Sequence, residues 1–185
     1  VIDVNELRNG VTFLLDDQLY KVLEYSHNKP GRGKATIRTK VRNLRTGEVL
    51  EKSFISGSRV QDVRLDYREA QYLYEQNGLY VFMDNETFEQ PMISSAVIGD
   101  LVNFLMEGLV VKLTFFGDEP IDVELPTAVE LDVIEAEMAV KGDTATGATK
   151  LVVVETGLKV QVPLFVEVGD KIKVDTRSGE YLTRV

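Results

Sequence analysis

The 185-residue sequence contains no cysteine and a single histidine, His27. Without cysteine there can be no disulfide, no thiolate metal ligand and no cysteine nucleophile. With one histidine, a histidine-rich zinc site is excluded, and a serine triad would have to be built around His27. No metal or cofactor is expected, and an enzyme is a poor reading. Long apolar runs are also missing: nothing approaches the roughly 20 residues of a membrane helix. Val1–Glu6 has no basic region leading into an apolar core, so no secretory signal is expected. The missing cysteines fit a reducing cytoplasm. What remains, 44% hydrophobic and 28% charged residues, is typical of a folded soluble protein.

Positive charge is scarce overall but unevenly placed. The formal net charge is −9, which alone argues against a general nucleic-acid binder. Residues 1–64 nevertheless hold 12 Lys/Arg against 8 Asp/Glu, residues 65–126 hold 2 against 12, and residues 127–185 hold 7 against 10. The chain therefore has a basic front and a very acidic middle.

Most apolar stretches are short and alternate with polar residues, the signature of strands. Val11–Leu15 and Leu19–Leu23 flank Asp16-Asp17-Gln18 and read as a hairpin. Ala35–Leu44 and Val49–Phe54 flank a turn at Arg45–Glu48. These strands predict a small barrel in residues 1–64. In residues 65–126, Gln71–Tyr74 and Leu79–Met83 bracket Asn77-Gly78, a strong hairpin signal. Ser94–Met106 is the one good helix candidate, capped at Ser94 or Ser95 and ended by Gly108, although Gly99 lies inside it. Residues 127–185 hold five predicted strands: Ala128–Glu137, Leu151–Glu155, Lys159–Val162, Lys171–Asp175 and Tyr181–Val185. That number of short strands fits an OB-like barrel. No clear repeat relates the second and third segments.

The strongest local signal is Lys29-Pro30-Gly31-Arg32-Gly33-Lys34. Tyr25–Gly47 contains seven cations, Lys29, Arg32, Lys34, Arg38, Lys40, Arg42 and Arg45, and no acid. Such a gap in an acidic protein points to a polyanion contact. On a strand Arg38, Lys40 and Arg42 share one face, about 7 Å apart, close to phosphate spacing. Ile37 and Val41 take the other face. Pro30 stiffens the loop entry, and the glycines let it turn tightly around Arg32. The bland reading is a solvated basic hairpin. A phosphate-binding P-loop is a poor competitor, because the Lys-Ser/Thr ending and the following helix are absent.

Ser26–Ala35 resembles the tip loop of the elongation factor P family. Gln71–Tyr74 with Tyr80–Asp84, Leu125-Pro126-Thr127, Lys150–Val152, Glu155–Gly157, Val160–Pro163 and Phe165–Asp170 match the same family in order, so the resemblance spans essentially the whole chain. It implies an all-β, L-shaped, tRNA-like protein: an SH3-like (KOW-type) barrel over 1–64, an acidic OB-like domain over 65–126 and an OB-like domain over 127–185. It further implies a non-enzymatic translation elongation factor. That factor would bind the 70S ribosome between the peptidyl and exit sites, contact ribosomal RNA and peptidyl-tRNA, and relieve stalling at consecutive prolines. In the family the apex residue points toward the peptidyl-transferase centre and is often modified. Arg32 holds that place here, which excludes lysine-modifying chemistry and leaves a tip-modifying enzyme acting on arginine as an expected partner. Lys34 does not match the modified position. Gly142-Asp143-Thr144, with Thr146 and Gly147, matches the family's exit-site codon loop, whose bland reading is an ordinary small-residue turn. A cytoplasmic monomer is expected. The nearest alternatives are the elongation factor P-like paralogue and a general OB-fold RNA binder.

The remaining candidates are weaker. Asp16-Asp17 and Asp118-Glu119 sit at predicted turns, and no periodicity brings them together as a catalytic pair. His27 beside the tip is available to stack on a base or stand in solvent. Tyr67, Tyr72, Tyr74 and Tyr80 resemble a base-stacking set, but their alternation and acidic surroundings favour packing within the barrel.

Overall fold

The computed structural model describes residues 1–138 and 148–185. Contacts divide the chain into two compact units. The first comprises Val1–Arg68, Met92–Gly99 and Leu113–Val123, and the second Glu69–Pro91, Asp100–Lys112 and Glu124–Val185. The regular secondary structure of the described residues is nearly all strand, as the alternation predicts.

The first unit contains a six-stranded sheet ordered β1-β6-β2-β3-β4-β5. Its strands are β1 (Ile2–Asp3), β2 (Thr12–Leu15), β3 (Gln18–Asn28), β4 (Thr36–Asn43), β5 (Val49–Ile55) and β6 (Arg59–Asp62). Asp16 and Asp17 both adopt positive φ, 50° and 60°, the two-residue turn whose twist suits a hairpin. One sheet face closes over Phe13, Tyr20, Val22, Ile37 and Val41. At one end the other face is covered as well: Leu19 and Leu44 pack with Ile121. That is why neighbouring Leu19 and Tyr20 are both buried.

The expected strand Leu19–Leu23 is longer in the structure, continuing to Asn28. Pairing with β4 shifts between Val22 and Glu24, leaving Leu23 as an extra residue. This bulge breaks the alternation on which the sequence reading relies. It returns Tyr25 to the side of Val22 and puts Glu24 and Ser26 outward.

A second sheet is ordered β11-β10-β7-β8-β9, from β7 (Asp66–Gln76), β8 (Leu79–Asp84), β9 (Met92–Ser94), β10 (Val110–Phe116) and β11 (Glu119–Glu124). Asn77 and Gly78 have φ of 53° and 79°, making the expected hairpin turn. The Ser94–Met106 helix does not form as one element. An α-helical turn, α1 (Ser95–Ile98), gives way to a 3₁₀ segment, Gly99–Phe104. Gly99 has φ 51° and interrupts the helix, and Ser94 precedes α1 without a side-chain capping bond.

The third sheet, in the second unit, is ordered β14-β13-β12-β15-β16. Its strands are β12 (Ala128–Ala136), β13 (Thr149–Val154), β14 (Lys159–Pro163), β15 (Lys171–Asp175) and β16 (Tyr181–Arg184), within a few residues of expectation. Its core is a valine-rich cluster including Leu131, Val152, Val162, Ile172 and Val174, closed by Phe104.

Among the described residues no long repeat is visible, but one six-residue turn occurs three times: Asn43–Glu48, Asp84–Glu89 and Asp175–Glu180. In each, the first residue's N–H donates to the sixth carbonyl, and the fifth N–H donates to the first carbonyl. The first side chain accepts from the third and fourth N–H groups. The fourth hydroxyl accepts from the sixth N–H. The fifth position is left-handed every time: Gly47 at 78°, Phe88 at 62° and Gly179 at 76°.

Candidate nucleic-acid interface

β3 and β4 form a ribbon whose last rung pairs Asn28 with Thr36. The loop between them carries the tip. Lys29, Pro30, Gly31, Arg32, Gly33 and Lys34 are all exposed. The base of the loop is fixed at Ala35, which is buried and whose carbonyl accepts from the Ser56 N–H at 2.8 Å. His27 stands exposed on the ribbon beside the loop, across from Ile37.

The expected alternation along β4 is present. Ile37, Thr39, Val41 and Asn43 are buried, while Arg38 and Lys40 are exposed and Arg42 is half-buried. Thr39 satisfies its hydroxyl by donating to the Lys52 carbonyl at 2.9 Å. The Arg42 Nε is buried without a hydrogen-bond partner.

Register shows what a linear window hides. Lys40 lies opposite Glu24 of β3 and Glu51 of β5, whereas Arg38 lies opposite Ser26 and Ser53. These six residues line a shallow depression of about 220 Å3 with Tyr25 and Thr39. Both cations therefore sit over a mixed surface. The acid-free stretch of sequence becomes a face on which two carboxylates flank the middle cation and the ends stay positive.

Arg45, the seventh cation of that stretch, serves a different purpose. Its Nε and Nη2 donate to the two Glu119 oxygens at 3.1 and 3.3 Å. Its Nη1 donates to the Asp17 carbonyl at 2.7 Å. The turns carrying Asp16-Asp17 and Asp118-Glu119, which periodicity does not connect, are thus joined by an arginine rather than as a carboxylate pair. Lys21 makes a similar tie to Asp122 at 3.0 Å. Both bonds lie within the first unit and hold strand β11 against the β3–β4 end of the sheet.

The tyrosines divide. Tyr72 is buried, its ring 6.1 Å from Tyr80 and 5.5 Å from Phe82, and burial raises its pKa. Tyr67 and Tyr74 are exposed, against the expectation of uniform packing. Pairing shifts between Tyr72 and Tyr74, so residue parity does not carry through the strand. Gly142, Asp143, Thr144, Thr146 and Gly147 lie outside the described residues. Among the described residues no group of three or more His, Asp or Glu side chains is placed to hold a metal ion, and no helix is long and apolar enough to cross a membrane.

Three family models match in succession. The elongation factor P KOW-like domain covers residues 3–60, the elongation factor P OB domain 65–123, and the elongation factor P C-terminal model 129–184. The elongation factor P of Symbiobacterium thermophilum is 50% identical over 184 residues, and that of Thermotoga maritima 49%, each alignment covering 100% of both chains. That of Rippkaea orientalis is 47% identical over the same length. Among solved structures, eukaryotic translation initiation factor 5A from Methanococcus jannaschii superposes with a TM-score of 0.50 at 22% identity, covering 68% of this chain and 90% of that one. That last likeness is one of fold.

Proposed function

Because the chain belongs to the elongation factor P family, we propose that it is a translation factor of the cytoplasm that binds the 70S ribosome between the peptidyl and exit sites. There it positions the peptidyl-tRNA and stimulates peptide-bond formation, relieving stalling at consecutive prolines. The observation that carries this reading is the exposed cationic loop Lys29–Lys34 at the end of a ribbon with outward Arg38, Lys40 and Arg42, in a chain whose net charge is −9. We take the working division into domains as 1–64, 65–126 and 127–185, which the spans of the three family models support. The chain acts as a monomer.

The action is positional rather than chemical. Proline is a constrained nucleophile, and small misplacements of reacting groups cost large rate factors. A rigid wedge beside the tRNA lowers that cost without contributing a catalytic side chain. Arg32 braces the acceptor end near the peptidyl-transferase centre, and its exposed guanidinium is open to a tip-modifying enzyme. Lys29, Lys34, Arg38, Lys40 and Arg42 contact phosphates of ribosomal RNA or tRNA, which fixes position without reading sequence. Gly142, Asp143, Thr144 and Gly147 are assigned to the exit-site codon region on their family match. Replacing Gly142, Asp143 and Thr144 by alanine weakens engagement of programmed ribosomes if the assignment holds.

The test compares rescue of a Pro-Pro-Pro reporter with a salt titration of ribosome binding. Arg32→Ala abolishes rescue while keeping most of the affinity. Five neutralised phosphates give a log–log salt slope of roughly −3.5 to −4.5. Removing Arg38, Lys40 and Arg42 together makes it shallower by about two to three units. Because Glu24 and Glu51 already offset Lys40, the change lies nearer two. Normal rescue by Arg32→Ala removes the tip from the mechanism, and an unchanged slope in the triple variant turns the row toward solvent.

A further inference from the structure

Strands β3, β4 and β5 set their outward side chains in rungs, each made of three paired residues. Ser26, Arg38 and Ser53 form one rung, and Glu24, Lys40 and Glu51 form the next, about 7 Å along. Both rungs have a cation in the middle. The first adds two hydroxyls and stays positive, whereas the second adds two carboxylates and is net negative. All three residues of the first rung are exposed and line the depression of about 220 Å3. Among the described residues none of their side chains takes part in a hydrogen bond or ion pair. Thr39, on the inner face of the same strand, instead donates its hydroxyl to the Lys52 carbonyl. The fold thus uses the inner hydroxyl and leaves the two outer ones to a ligand.

The donor set defines that ligand. A guanidinium offers donors only, in a planar fork that grips two oxygens of an anion. A hydroxyl on each side adds one further donor without adding charge. A carboxylate has two oxygens, which the fork alone fills. A phosphodiester has four, and its remaining oxygens lie within reach of flanking donors. We propose that Ser26 and Ser53 complete a single-phosphate site around Arg38, and that this rung grips one phosphodiester of RNA more firmly than any other position in the row. The inference rests on the ribosome-binding reading and adds two uncharged residues to it. Ser26 and Ser53 are positioning residues: they fix the phosphate across the strands, while Arg38 supplies the charge.

The experiment measures binding of the full chain to 70S ribosomes, empty or holding peptidyl-tRNA, across a salt series. Ser26→Ala with Ser53→Ala weakens binding about tenfold and leaves the log–log salt slope unchanged, because a neutral donor displaces no counterion. Arg38→Ala weakens binding and makes the slope shallower by about 0.7–0.9. Ser26→Thr with Ser53→Thr keeps both hydroxyls and retains most of the affinity. Ser26→Glu with Ser53→Glu copies the neighbouring rung around Arg38 and loses more affinity than the alanine pair. These positions are exposed, so thermal unfolding of each variant stays close to wild type. Loss only with peptidyl-tRNA present assigns the phosphate to tRNA, and loss on empty ribosomes as well assigns it to ribosomal RNA; either supports the site. Wild-type affinity in the alanine pair, with wild type binding normally, overturns this inference alone. So does an alanine pair whose slope falls as that of Arg38→Ala does, or a threonine pair that binds no better than the alanine pair. Failure of wild type itself to bind ribosomes removes the functional reading and this inference together.

Discussion

Gly47 and Gly179 occupy the same place in the same turn, with φ of 78° and 76°, but their surroundings differ. A Cβ on Gly47 would sit 2.4 Å from the Ala96 carbonyl oxygen, a backbone atom of α1. On Gly179 the nearest atom would be Phe104 Cζ at 4.0 Å, an ordinary contact. Alanine in the left-handed region costs about 1–2 kcal/mol, partly offset by about 0.4–1 kcal/mol from a less flexible unfolded chain. Gly179→Ala therefore destabilises by about 1 kcal/mol. Gly47→Ala carries the same conformational cost plus overpacking of about 1–3 kcal/mol, since a strand-end turn or α1 must move. Its expected total is about 2–4 kcal/mol. Urea denaturation of both variants, followed by amide exchange at the Gly47 and Gly179 turns, separates local from global loss. If Gly47→Ala costs no more than Gly179→Ala, the close approach to Ala96 contributes nothing.

Other expectations are smaller or act through charge. In Asp175 the carboxylate accepts from the Arg177 N–H first and then the Ser178 N–H, which holds its pKa below the ordinary 3.8. A depressed folded-state pKa stabilises above the unfolded value and is lost as pH falls through the folded one. Acid unfolding curves of wild type and Asp175→Asn should accordingly converge below pH 3.8 and separate above it; parallel curves would remove the argument. The Arg45–Glu119 pair is 35% and 45% exposed, so a double-mutant cycle should give only about 0.3–1 kcal/mol, shrinking with added salt. Glu24→Gln with Glu51→Gln should tighten ribosome binding at low salt and steepen the salt slope, and no change in either would mean Lys40 does not meet phosphate.

Much of this structure is legible in the sequence because its signals are local. The Asn77-Gly78 turn, the five C-terminal strands and the alternation that buries Ile37 and Val41 while exposing Arg38 and Lys40 all depend on neighbouring residues. The exposure of the glycine-rich tip follows in the same way. What escapes is set by register. Glu24 and Glu51 are 16 residues or fewer from Lys40 in sequence, yet only strand pairing puts both beside it. Arg45 belongs to a basic run by sequence and to Glu119 by fold. The second half of β3 is hidden because two adjacent apolar residues, Val22 and Leu23, precede an acid, and only a bulge reconciles them with one strand. The interrupted helix turns on Gly99, whose positive φ no amphipathic pattern reports.

The bulge at Leu23 separates two properties of the tip. A bulge bends its strand and adds right-handed twist, so this one sets the heading on which the ribbon leaves the barrel. The residues beyond it remain in phase without it: with Leu23 deleted, Glu24 still follows Val22 as the outward partner of Lys40, and Ser26 still meets Arg38. Such a deletion would keep every charge, every rung and the whole Lys29–Lys34 loop. It would change only where that loop points. Aim and chemistry are thus written at different places in the chain, nine residues apart from Leu23 to Arg32, and each is open to change without the other.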